Sequence, residues 1–332
     1  MIEELGFVKA VASALKPWLA DAIVTVTVES GEYFCPGNLT LSRPRTKYVM
    51  DGVKLVIPEF QTVIDVTADG VELLGGTKGL TIDARGMAHP SLAQLADNTS
   101  VSGVDISDEL SDVRLDNVTF ELVCGDERQV CGIFVGARCQ RVQLKSIVIN
   151  GGNHAVYVDQ HAQGAMAGCI SRDAGENAII LDSHSHFDME GIVVERSAHC
   201  GIWYKSVGAV DGPSMSLKNS TIDRAWQKRS GVYGPRGKHR HHTGGVYVDS
   251  FARFVVENCV FRNGFCDGLS VDAATTWLGI PCRVFVLPFS PSPRASLCNL
   301  RACARPGVPI IITRRVDTLG LIVTDVPSLQ DL

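Results

Sequence analysis

Gly132-Ile-Phe-Val135, Ala155-Val-Tyr-Val-Asp159, Ala178-Ile-Ile-Leu-Asp182, Gly201-Ile-Trp-Tyr-Lys205, Gly245-Val-Tyr-Val-Asp249 and Gly268-Leu-Ser-Val-Asp272 are six versions of one short strand. Their first aliphatic residues, Ile133, Val156, Ile179, Ile202, Val246 and Leu269, are 23, 23, 23, 44 and 23 residues apart. The step of 44 is one period plus an insert of 21 residues, and Val104 in Gly103-Val-Asp-Ile106 precedes Ile133 by 29. A second strand-like run precedes most copies: Leu115–Phe120, Leu144–Ile149, Met189–Val194, Leu217–Ile222 and Val256–Phe261. Short Val/Ile-rich runs split by Gly, Asn and Asp, with no helical periodicity between them, read as β-strands and turns. One such unit is too small to close a core, so the units must stack and bury a continuous column.

The pattern over about residues 100–275 resembles the right-handed parallel β-helix of the pectin-lyase-like superfamily. Val24–Tyr33, Val63–Val66 and Leu80–Asp83 are similar to that superfamily's opening coils. The expected class is therefore all-β, a right-handed parallel β-helix over 23–276. Residues 1–22 are expected to form a capping helix, since Phe7, Val11, Ala14, Leu15 and Trp18 share one helical face. Residues 277–332 are expected to be irregular, because 277–316 contain no Asp, Glu, Lys or His and no clean repeat.

Composition narrows the function. The chain has 332 residues, 31 Lys+Arg against 36 Asp+Glu, and 45% hydrophobic content. That is globular composition, and no apolar run is long enough to cross a membrane as a helix. The net charge of −5 makes nucleic acid an unexpected partner, so an anionic polymer would need a local basic patch. The 11 cysteines lack metal-finger spacing and read mostly as small core residues. Met-Ile-Glu-Glu at the start is not a signal-peptide opening, so only the substrate class favours an extracellular or cell-surface location. Of four Asn-x-Ser/Thr triplets, those at Asn117 and Asn219 fall in the same repeat context, which suits a turn as well as a glycan.

Strand alternation assigns the sides. Val156 and Val158 point inward, so the outward series is Phe134, Tyr157, Ile180, Trp203, Tyr247 and Ser270. Beside it run Asp159, Asp182, Lys205, Asp249 and Asp272, and two residues further on lie Arg138, His161 and His184. Aromatic faces for sugar rings, with carboxylates and cations for hydroxyls and uronates, suit a long polysaccharide. Stacked Asp159 and Asp182 would repel, so a positive charge is expected there, either Lys205 or a Ca²⁺ with both carboxylates as ligands. In the insert, no acid occurs between Arg224 and Val248, while Arg236, Lys238 and Arg240 belong to a cationic arm fit for uronate carboxylates.

The Tyr157, Asp159 and His161 stretch resembles the Tyr-x-x-Asp-x-His stretch of mannuronan C5-epimerases, with Tyr157 one residue nearer the Asp and Val156 at the family's Tyr position. The resemblance implies chemistry at C5 of a uronate unit, by β-elimination or epimerisation. The catalytic candidates are Tyr157 as donor, His161 or His184 as base, and Asp159, Asp182 and Lys205 around the carboxylate. Trp203, Tyr247, Asp249 and Asp272 would hold flanking sugars. Two alternatives stand beside this: a non-catalytic fibre or binding module, and a glycoside hydrolase using an outward carboxylate pair. A monomer suits the enzyme and a trimer the fibre. Gly-His-Gly, Gly-x-Ser-x-Gly and His-Glu-x-x-His are absent from the sequence.

Overall fold

The computed structural model describes residues 23–88, 91, 100–123, 129–205, 214–225, 245–248, 253–257, 259–262 and 269–271. The expected capping helix, the segment 277–332, and the side chains of Arg236, Lys238, Arg240, Asp249 and Asp272 lie outside these residues. Among the described residues there are 27 strands and no helix. They form three nine-stranded sheets, each taking every third strand of the chain. The first sheet runs from Val24–Thr27 to Arg253–Glu257, the second from Gly31–Phe34 to Val260–Arg262, and the third from Leu39–Leu41 to Leu269–Val271. Every pairing is parallel, so each coil contributes one strand to each sheet. This is the parallel β-helix that the 23-residue period demands.

The period works because each repeat places like beside like. In the third sheet Ile106, Val135, Val158, Leu181 and Tyr204 pair in one register. Each is 0% exposed. Burying one such aliphatic contributes roughly 1.5–3 kcal/mol, so every coil adds a stabilising rung. Tyr204 continues the column because its hydroxyl donates to the Ser185 carbonyl at 3.1 Å. All six described cysteines are buried free thiols, as expected of small core residues.

Between the first and second sheets, five successive coils turn through one left-handed residue each. Asn117 (φ 55°), Ser146 (52°), Gly168 (60°), Gly191 (64°) and Asn219 (50°) occupy this position. Asparagine suits it because it tolerates the left-handed region and its side chain reaches the preceding coil. Asn117 Nδ2 donates to the Gly76 carbonyl and Asn219 Nδ2 to Glu190 Oε1. The two matching Asn-x-Thr/Ser triplets are thus accounted for as turns.

The glycine that opens several of the repeats is set by packing. A Cβ on Gly103 would lie 2.5 Å from the Phe120 ring, and one on Gly201 2.5 Å from Ile222 Cγ2. Large residues of the second sheet fill the volume that a side chain would need. Gly103→Ala is expected to destabilise by about 1–3 kcal/mol through overpacking. Adding Phe120→Leu should recover part of that loss, although Phe120→Leu alone is destabilising. Denaturant midpoints of the two single variants and the double variant check this, and purely additive losses would refute the packing account.

Candidate functional site

The outer face of the third sheet carries the counted row. Phe134 pairs with Tyr157, Tyr157 with Ile180, Ile180 with Trp203, Trp203 with Tyr247, and Tyr247 with Ser270. The same register continues toward the N-terminus through Asp105 to Asp65. Successive members are separated by about one inter-strand spacing, ~4.8 Å. Phe134 and Tyr157 stack, with centroids 5.6 Å apart and planes 20° apart. Ile180 is only 3% exposed, which makes the centre of the row an apolar floor.

Tyr157 is tied to a buried carboxylate. Its hydroxyl donates to Asp182 Oδ2 at 2.8 Å, and Lys205 Nζ reaches the same oxygen at 2.9 Å. The other oxygen accepts from the Ser183 amide at 2.6 Å and the Ser183 hydroxyl at 3.1 Å. Alternation puts Asp182 on the outer side, yet it is 2% exposed. Burial works against its ionised form, but the Ser183, Lys205 and Tyr157 donors prevail and hold its carboxyl below the ordinary value. Burial and the adjacent carboxylate push the Tyr157 phenol well above its ordinary range. Tyr157 therefore stays protonated and acts as a donor.

Asp159 takes a different place from Asp182. It caps its own turn by accepting from the Gln160 amide at 2.7 Å. The positive charge expected beside the two carboxylates is Lys205, bound to Asp182 alone. All four donors on Asp182 belong to the chain, and among the described residues no three His, Cys, Asp or Glu converge on a metal-sized site. With both Asp182 oxygens taken by these donors, the set does not fit a Ca²⁺ on Asp159 and Asp182.

His161 and His184 lie in the turn that follows the strand, both with left-handed backbone (φ 60° and 61°). Their rings are parallel, 4.6 Å apart. Arg138 occupies the same turn position (φ 59°) and pairs with Glu109. The column of three is thus as counted, with His161 exposed and His184 half-buried.

Two features escaped the sequence reading. Asp105 is half-buried in the row itself, and desolvation, with help from the charges of Asp65 and Asp108, raises its carboxyl to about 6. Asp65 accepts a short hydrogen bond from Asn38, and Asp108 accepts from the Ala137 amide at 2.8 Å. The second is His154, whose ring meets Tyr157 edge-on at 6.3 Å. Its Nε2 stands 3.4 Å from Glu176 Oε2.

No family profile and no curated protein matches the chain. Among solved structures, it is similar to the pectate lyase Pel9A at 8% identity and a TM-score of 0.48, covering 90% of this chain and 71% of that one. It is similar to the ORF18 protein of Geobacillus virus E2 at 12% identity and a TM-score of 0.44, over 95% and 57% of the two chains. A third is a PL6 alginate lyase in complex with a trisaccharide, at 10% identity and a TM-score of 0.32, over 86% and 82%. The class rests on the coil topology: the chain is a parallel β-helix of three sheets.

Proposed function

We propose that the outer face of the third sheet binds a uronate-containing polysaccharide and acts at C5 of one uronate unit, by β-elimination or epimerisation. The observation that carries this reading is the row itself. It sets a carboxyl poised near neutrality, two stacked rings and an indole along one axis, with an ammonium in the neighbouring column. Both reactions begin by removing the C5 proton, which drives negative charge onto the adjacent carboxylate. Asp105 is the base in this reading, because its raised pKa makes it a stronger base than an ordinary carboxylate. Lys205 faces the uronate carboxylate, and Tyr157 turns its single hydroxyl hydrogen from Asp182 to the developing charge. Phe134 and Trp203 offer apolar faces to sugar rings. His161 and His184, stacked on each other in the turn, take no proton in this scheme.

The test is a proton NMR time course with polymannuronate, alginate and polygalacturonate. Unsaturated-sugar signals identify a lyase, and inverted C5 stereochemistry without chain cleavage identifies an epimerase. Conversion of none of the three polymers overturns the reading, and line broadening on one without conversion would mark a binding module. On the polymer that reacts, Tyr157→Phe should lower kcat by about 10²-fold, the usual cost of one donor at a developing oxyanion. Retention of full kcat would remove Tyr157 from the chemistry.

A further inference from the structure

His154 stands at the edge of the same face, where the chain passes from the second sheet to the third. Its Nδ1 lies 3.1 Å from the Asn177 carbonyl. A carbonyl only accepts, so Nδ1 carries hydrogen and Nε2 is the nitrogen whose protonation can change. That nitrogen faces Glu176 Oε2 at 3.4 Å. A bare imidazole nitrogen and a bare carboxylate repel at this distance, while imidazolium with carboxylate, or neutral imidazole with carboxylic acid, attract. The geometry therefore favours one proton between the two groups. Their side chains are 21% and 29% exposed, sheltered from bulk water yet within reach of a ligand on Tyr157.

Two other groups facing the ring do not compete for that proton. Cys131 pairs with His154 from the preceding coil, and burial pushes its thiol up to about 12, so it is neutral. Tyr157 on the same strand stays protonated. Beyond Glu176 the column continues to His199, whose amide donates to the Glu176 carbonyl at 3.0 Å. Burial holds the His154 pKa below its ordinary value, and the Glu176 charge and the Asn177 carbonyl offset only part of that.

We infer that His154 and Glu176 form an acid–base dyad that holds one proton beside Tyr157 and delivers it to the sugar unit bound on the face. The dyad stands on its own geometry; its role rests on the polysaccharide reading above. In elimination, Asp105 takes the C5 proton and the C5–H electron pair forms the C4=C5 bond. The C4–O4 bond then breaks, and the leaving oxygen takes the Nε2 proton of His154. Glu176 is left opposite a neutral imidazole, and water restores the shared proton.

Imidazole NMR titration tests the dyad without any substrate. Glu176→Gln should lower the apparent His154 pKa by about one unit or more, because it removes the only carboxylate facing Nε2 among the described residues. The His154 signal is assigned by its loss in His154→Gln. A titration unmoved by Glu176→Gln overturns the dyad. On the reacting polymer, His154→Gln should lower kcat by about 10²-fold or more, and Glu176→Gln should shift a limb of the pH–rate profile. Full turnover by His154→Gln would overturn the assigned role. Wild-type protein inert toward every polymer would instead sink the functional reading, and the role with it, while the titration still decides the dyad.

Discussion

Replacing Lys205 by Met is expected to destabilise the protein by about 3 kcal/mol at pH 7, the low end of the cost of leaving a buried charge without its partner. Asp182 is 2% exposed, and among the described residues Lys205 is the only cation on its carboxylate. Tyr157 and Ser183 would keep donating, which is why the loss is not larger. The effect has a definite pH dependence. Because the folded-state pKa of Asp182 is depressed, its ionised form stabilises the fold above the unfolded value of about 3.9. That stabilisation begins to fall near pH 4 and is gone only once the pH has dropped through the folded value, so the gap between wild type and variant should narrow steadily below about pH 4. Asp182→Asn combined with Lys205→Met should be less damaging than the sum of the single changes, since no charge remains to be compensated. Denaturation midpoints at pH 7 and pH 3.5 decide it; a pH-independent gap would mean that Lys205 contributes through its hydrocarbon stem.

Much of the architecture was legible because both periods involved are local. A two-residue alternation within each strand and a 23-residue step between strands placed Phe134, Tyr157, Ile180 and Trp203 on one row, and the pairings put them there. The burial of Asp182 was not legible, because alternation gives direction but not cover. Tyr157 and Lys205 lean onto it from the coils on either side. Asp105 escaped for another reason. Its segment could be counted into register 29 residues before Phe134, but its burial and the charge of Asp65, 40 residues earlier, are not visible in a repeat count. The His154–Glu176 pair is a diagonal between adjacent coils, 22 residues apart, and matches no motif spacing. Functional groups at turn edges depend on backbone path, which a repeat count does not resolve.

Asp105→Asn is the change that should make the protein more stable while removing its chemistry. The Asp105 carboxyl titrates at about 6 in the fold, against about 3.9 in an unfolded chain. With a folded value above the unfolded one, the carboxylate opposes folding once it is deprotonated. The penalty is absent below about pH 4, grows between about 4 and 6, and is complete above about 6. Two units correspond to about 3 kcal/mol, and partial exposure reduces this to about 1–2 kcal/mol. Asparagine keeps the shape and removes the charge, so the variant should exceed wild type in stability by that amount at pH 8 and match it near pH 3.5. Asp65→Asn should act in the same direction but more weakly, since the Asp65 charge is one of the causes of the raised value. A residue that costs stability at neutral pH, in the row that carries the Phe134–Tyr157 stack, is what a site kept for activity looks like. Thermal unfolding of Asp105→Asn at the two pH values, alongside turnover of the reacting polymer, separates the outcomes. Gained stability with lost turnover supports Asp105 as the base, and gained stability with intact turnover removes it from the mechanism. A variant less stable than wild type at pH 8 would show that the carboxylate is a structural acceptor instead.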